Sequence, residues 1–354
     1  MAKLFRRKVV ETASMDAAEN AIANKEVEGL SQRQIVIKRF IHHRAAMIAL
    51  FSLILITVIV NTALEFKIGP WKIHGWWKYK VTDIPELRYK ECPGQVIGCP
   101  TLKLFPPSLG EHPFGQDDIG RDYLALVMRG AQRSIMVMVI IGILAATIGT
   151  VIGAISGFFR GWIDAILMRF TDFIITIPSI IIGSVIGYHF GNLGVTFLAF
   201  YLGVFSWTGL SRLVRGEFLT LREREFVDAA RVAGASNRRI IFKHILPNAV
   251  GVIIVSVTLL MSGAILLETA LSYLGFGVVA PDVSLGLLIS QYQDSFTTRP
   301  WLFWYPGLFI ITIALTINFI GDGLRDAFDP RQRRRITKKD RARASEIKRE
   351  RESL

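Results

Sequence analysis

Glu225–Asn248 reads EFVDAARVAGASNRRIIFKHILPN. The stretch is charged and helix-patterned, yet it lies between long apolar runs of the kind that cross membranes. It is therefore a soluble-looking loop held at both ends on one membrane face. Asp228-Ala229-Ala230, then Gly234, then Leu246-Pro247, predicts two short helices meeting at a turn. Ala229, Ala230 and Ala233 offer a small, flat helical face on which another protein can sit closely. Gly234 suits the turn, where a Cβ is unfavourable. Asp228 favours the helix start and Pro247 the opening of the next helix. A generic amphipathic linker between spans is the plainer alternative.

Outward from that loop, charge segregates into blocks. The chain has 354 residues, 51% hydrophobic and 20% charged, with mean hydropathy +0.40. Ser134–Phe159, Ile245–Leu267 and Pro300–Gly321 contain no Asp, Glu, Lys or Arg, and each exceeds the roughly 20 residues that span a hydrocarbon core. With Ala45–Leu64 and two spans from the region Ile163–Leu210, the pattern predicts an all-α polytopic membrane protein. Its six helices fall at about 45–64, 134–157, 163–188, 195–211, 249–272 and 303–321. The first span follows 44 mostly polar residues and has no nearby A-x-A-like site, so it reads as an anchor rather than a cleaved leader.

Basic residues orient the bundle. Segment 1–44 holds nine Lys/Arg, loop 212–247 eight, and the tail from Arg331 eleven. Six spans place all three on one side, and the positive-inside rule makes that side cytoplasmic, with both termini inside. Loop 65–133 also carries ten Lys/Arg, but it is too long for the rule and its eight acids nearly balance them. The domains so drawn are a cytoplasmic segment 1–44, a transmembrane domain 45–321 and a basic tail 322–354. The net charge of +13 is explained by anionic inner-leaflet lipid without nucleic acid.

Local features add detail. Ser31–Arg44 sets Ile35, Ile37, Phe40 and Ile41 among basic residues, either as an interfacial amphipathic helix or as a charged stop before the span. Gly149, Gly153 and Gly157 form a small-residue stripe for close helix packing, and Pro178 and Pro306 kink or begin helices. Arg169 and Asp172 share a helix face in the third span and can pair. With Glu268, near the outer end of the fifth, they are candidate path residues, or else structural ion pairs. Cys92 and Cys99, the only cysteines, lie in the oxidising outer loop around a Pro-Gly turn, which predicts a disulfide. Trp71, Trp76, Trp77 and Tyr79 of the same loop serve either to contact a delivering protein and cap the path or to anchor at the lipid interface. There is no G-x-x-x-x-G-K-S/T, H-E-x-x-H or G-x-S-x-G sequence, and His42, His43 and His112 read as ordinary surface histidines. Any ATP-driven work needs another chain.

The central loop resembles the EAA loop of type I ATP-binding-cassette importer permeases: E-A-A, three residues, Gly, nine residues, then I-x-L-P. Asp228 replaces the Glu and His244 the Ile. Both departures are similar to the oligopeptide/dipeptide (peptide/nickel) permeases. So are HPFGQDDIGRD at His112–Asp122, ETALSYLGFG at Glu268–Gly277 and GDGLRDAFDP at Gly321–Pro330; the last two resemble the C-type subunit of the permease pair. The likeness covers roughly residues 39–331, with Thr62–Gly110 longer than the usual outer loop.

The resemblance implies the type I importer fold in the inner membrane of a prokaryote and a non-catalytic subunit. Glu225, Asp228, Ala229, Ala230, Arg231, Gly234, Ala235 and Ser236 would form the coupling helix. The implied partners are a homologous B-type permease, two ATPase subunits carrying ATP and magnesium, an extracytoplasmic peptide-binding protein and membrane lipid, with no cofactor on this chain. Peptides are the implied cargo, with nickel, glutathione or another peptide-like solute as alternatives. A secondary carrier without ATPases is the different-class alternative, although the internal repeats common in such carriers are not visible.

Overall fold

The computed structural model describes residues 32–68, 71–87, 98–102 and 109–328. Cys92 and the basic tail from Arg331 lie outside them. One compact unit is Arg44–Leu324; the other, Met1–His43 with Arg325–Leu354, is described only at 32–43 and 325–328.

In that second unit α1, Gln32–His42, is a separate helix. It carries Ile37 and Ile41 exposed one turn apart beside exposed Lys38 and Arg39. His43 Nε2 lies 3.3 Å from Asp326 Oδ2.

Among its described residues the main unit is mainly helical, with a short antiparallel hairpin, Phe66–Ile68 with Trp71–Ile73. Its helices are α2 Arg44–Ala63, α3 Tyr123–Phe159, α4 Gly161–Ile175, α5 Ser179–Phe190, α6 Val195–Phe205, α7 Thr208–Arg222, α8 Glu225–Val232, α9 Leu246–Tyr273, α10 Leu285–Tyr292 and α11 Trp301–Phe328. Among the described residues five apolar helices are long enough to span a membrane, α6 and α7 counting together as Val195–Arg222. The pair α4 and α5, bent by 71°, adds a sixth when it is taken as one broken span. Pro178 enforces this break: it cannot donate to the i−4 carbonyl, and it disfavours helix at the residue before it.

Several boundaries differ from the sequence reading: the fourth span runs to Arg222 rather than 211, and the sixth to Phe328 rather than 321. The second span starts at Tyr123 rather than 134, because Asp122 caps α3 by accepting from Ala125 N. Arg129 and Arg133 are thereby carried within its first turns. In the sixth, Pro306 lies inside α11 rather than at its start. Its missing N–H leaves the Leu302 carbonyl without its usual partner, and the buried Tyr123 hydroxyl donates to that carbonyl instead.

α3 is the central helix. Lipid tails are as apolar as side chains, so close van der Waals packing must hold membrane helices together. The glycine stripe supplies it. A Cβ on Gly149, Gly153 or Gly157 would sit 3.0, 2.4 or 2.7 Å from the backbone oxygens of Trp207, Ser211 and Arg215 respectively. α3 and α7 thus cross backbone to backbone. Ahead of α9, Ile240–Ile245 widens into a π-helical turn, with Leu246 N bonded to Ile241 O, where the Pro247 ring would otherwise press on the carbonyl four residues back.

Candidate functional site

At one end of the bundle α8 packs against α7 and the turn at Ile240–Ile245. Glu225 and Asp228 occupy its first turn, where carboxylates complement the helix dipole. It ends in a Schellman cap: Gly234 N donates to Arg231 O at 2.9 Å and Ala235 N to Ala230 O at 3.0 Å. Gly234 takes φ +78°, the left-handed conformation this cap requires. Ser236 caps the next turn by accepting from Arg239 N at 3.4 Å.

Val227 and Ala230 point inward, packed with Phe218, Ile240 and Ile245. The opposite face presents Phe226, Ala229, Val232 and Ala233, with Val232 91% exposed. Together with exposed Phe226 it makes a contiguous apolar patch, the feature that marks an interaction surface. The face forecast from the alanines is therefore corrected at Ala230, which seats the helix rather than presenting it. Arg231 pairs with Asp228 at 3.0 Å, both exposed, and contributes little.

α7 ties this end to the spans through arginines. Arg215 forks onto Asp164 of α4 at 2.6 and 2.7 Å, and Ser156 donates to the same carboxylate. Arg160, between α3 and α4, meets Glu223 at 2.7 Å. Arg222 donates to the Phe158 carbonyl, one of those left orphaned at the end of α3. The forecast pairing of Asp172 with Arg169 does not form: Asp172 pairs with Arg212 of α7. A neighbouring helix brought a guanidinium closer than the shared face did.

Glu268 is fully buried. It accepts from Ser272 Oγ at 2.8 Å and Ser134 Oγ at 3.1 Å. Those hydroxyls in turn accept Val278 N and Leu285 N, and Ser284 caps α10 beside them. No cation lies within 4 Å of Glu268 among the described residues. The carboxyl fastens α3, α9 and the approach to α10. Glu268→Leu should cost about 2–4 kcal/mol, since two buried hydroxyls lose their acceptor. Thermal unfolding in detergent measures this, with Glu268→Gln losing less. Unchanged melting with altered transport kinetics would instead identify a path residue.

The opposite end is a polar knot made by the HPFGQDDIGRD stretch. Asp122 is fully buried and accepts from Trp77 Nε1 at 2.9 Å, besides capping α3. Its other oxygen lies 2.8 Å from Nδ1 of His112, which is buried rather than on the surface. Asp117 accepts from Arg121 Nε at 2.6 Å and from the Tyr292 hydroxyl at 3.2 Å. Burial, with the Asp117 carboxylate beside it, holds the Tyr292 phenol well above its ordinary range. Gly115 is obligatory, with φ +83° and only 2.5 Å from an added Cβ to Gly98 O. Tyr79 stacks on His112 at 4.7 Å, so the long loop is bolted down here through Trp77 and Tyr79. Sequence reasoning missed Ser134, Ser272, Arg212 and Arg215. Of these only Ser272, one turn from Glu268, left a signal in spacing.

Comparison with known proteins places these features in context. Residues 149–334 match the family model described as binding-protein-dependent transport system inner membrane component. The chain is 37% identical over 307 residues to an oligopeptide transport system permease protein OppC of Mycobacterium tuberculosis (strain ATCC 25618 / H37Rv), covering 86% of this chain and 97% of that protein. It is 34% identical over 333 residues to the OppC of Haemophilus influenzae, covering 93% and 99%. A solved structure of the MetNI methionine transporter in inward-facing conformations aligns over 58% of this chain and 96% of its own, at 20% identity and TM-score 0.48.

Proposed function

Because the chain belongs to the family of binding-protein-dependent transport system inner membrane components, we propose that it is the multi-pass permease subunit of an ATP-binding-cassette importer that brings peptides into the cytoplasm. The observation that carries the coupling role is α8: a short helix with an exposed apolar face, seated by Val227 and Ala230 and joined by α7 to the spans. The α8 end faces the cytoplasm in this reading. Two ATPase subunits, which hold ATP and magnesium, dock on that face. A homologous second permease closes the path, and an extracytoplasmic binding protein delivers peptide at the knotted end. This chain hydrolyses nothing.

The mechanism follows from the contacts. Closure of the ATPase dimer displaces α8, whose inward residues push on Phe218, Ile240 and Ile245. α7 moves with it and draws α4 along through the Arg215–Asp164 fork, which is rigid because it is bidentate. The bend at Pro178 lets α4 tilt without carrying α5 equally. The spans thereby alternate between inward- and outward-open states.

The test is uptake of a labelled tripeptide into vesicles holding the complete complex. Uptake should require both ATP and the binding protein. Uptake driven by a proton gradient without ATP would transfer the chain to the secondary carriers, whose broken spans α4 and α5 also resemble.

A further inference from the structure

A cavity of about 890 Å³ opens at the knotted end, in the crease between the end of α2 and the start of α3. Its roof is the loop 74–82, part of the enlarged segment that departs from the family pattern. That roof is fixed. Trp76 N and Trp77 N donate to the carbonyls of Thr62 and Ala63 at 3.3 and 3.0 Å, and the Trp77 indole donates to Asp122. Gly75 approaches so closely that an added Cβ would lie 2.1 Å from the Ala63 oxygen.

The lining is strongly cationic. Lys78, Lys80, Arg129 and Arg133 face a single carboxylate, Glu65, which lies 3.3 Å from Lys80. Lys78 is met from outside the cavity by Glu111 at 3.2 Å. Arg129 and Arg133 stand one turn apart on α3. Arg129 donates to Gln132 Oε1 at 2.9 Å and has no acid within 4 Å among the described residues. Arg133 reaches Asp282 only at 3.5 Å, and that aspartate already accepts from Val195 N. The buried Nε of Arg133 has no hydrogen-bond partner. Two neighbouring guanidinium groups repel each other, and a buried unpaired donor is costly. A carboxylate that bridges the pair relieves that repulsion, and their planar forks fit it.

The face of α3 that carries these arginines runs on as Met136, Ile140, Ile143, Thr147 and Val151. Ile143 is 60% and Val151 52% exposed. Among the described residues Met136 and Ile140 pack partly against the cluster around Val137 and Ile141, while Ile143, Thr147 and Val151 stay exposed, so the stripe leads from the cavity along the helix.

We propose that Arg129 and Arg133 receive the C-terminal carboxylate of the incoming peptide, in a pocket roofed by the enlarged loop, before the peptide passes along the open stripe of α3. The inference rests on the peptide-importer reading. An anionic lipid headgroup shares this chemistry, and the experiment separates the two.

The experiment compares uptake of a tripeptide with its C-terminal amide, using the complete complex in vesicles. The same binding protein is used throughout, and its affinity for each peptide is measured separately. In the Arg129→Gln/Arg133→Gln variant, kcat/KM for the free acid should fall about ten- to a hundredfold relative to its value for the amide. An equal fall for both peptides, or no fall for either, overturns the proposal. Vesicles of phosphatidylcholine with and without phosphatidylglycerol separate the lipid alternative. A loss in the variant that tracks phosphatidylglycerol and ignores the peptide terminus assigns the pocket to lipid and overturns the proposal too. Should the double variant fail to assemble, Arg133→Lys keeps the charge but loses the fork, and the same acid-to-amide ratio decides. Absence of ATP-dependent uptake by the wild-type complex would sink the importer reading itself.

Discussion

Gly234→Trp should abolish ATP-driven peptide uptake while leaving insertion and the spans intact. The residue sits at φ +78° with nothing within 4 Å of an added Cβ, so the substitution starts into open space at the end of α8. A non-glycine residue at that φ costs roughly 1–2 kcal/mol, which loosens the cap that ends α8. Overpacking of a docked interface adds about 1–3 kcal/mol; together these reduce docking about a hundredfold. Ala229→Arg, on the exposed face, should also block docking with the local fold retained. Ala230→Arg belongs to another class, because Ala230 is buried beside Val227. It should unseat α8 and lower thermal stability before any partner is involved. Co-purification of the ATPase subunits and uptake kinetics read the first two variants, and the melting temperature reads the third. Normal co-purification together with normal uptake in both Gly234→Trp and Ala229→Arg would remove the coupling role from α8.

Asp122→Ala should be the most destabilising single change at the opposite end. It leaves the Trp77 indole, the His112 ring and Ala125 N without their acceptor. A lost N-cap costs about 1 kcal/mol, and each of the two buried unpaired donors about 1–3, so a total of about 3–7 kcal/mol is expected. The melting temperature in detergent should fall by on the order of 10 °C. Asp122→Asn keeps the shape and one acceptor, and should fall between that variant and wild type. Melting of Asp122→Ala within a degree of wild type would mean that the knot does not hold the first turns of α3.

The sequence alone determined where the chain can cross a membrane, because an uncharged block of about 20 residues has few other stable settings. It also determined that residues 225–239 make a helix, a glycine turn and a second turn, since Gly234 and Ser236 act on their own neighbours. The break at Pro178 and the close packing of Gly149, Gly153 and Gly157 were legible for the same reason: a missing N–H or a missing Cβ acts locally, whatever lies across from it. The tertiary structure decided every question about partners. Ala229 and Ala230 are adjacent in an identical pattern, yet only α7 and the turn at Ile240–Ile245 determine that Ala230 is the one covered. Asp172 chose Arg212, forty residues away, over Arg169, and Glu268 found Ser134 at a separation of 134. The start of α3 at Tyr123 comes from a local cap, Asp122 onto Ala125 N, but the burial of that aspartate with Trp77 and His112 comes from partners that no helical period links to it. Periodicity records which residues of a helix share a face. Which neighbour covers that face depends on long-range packing, and that is where the arginine pocket, the Glu268 hub and the exposed side of α8 came into being.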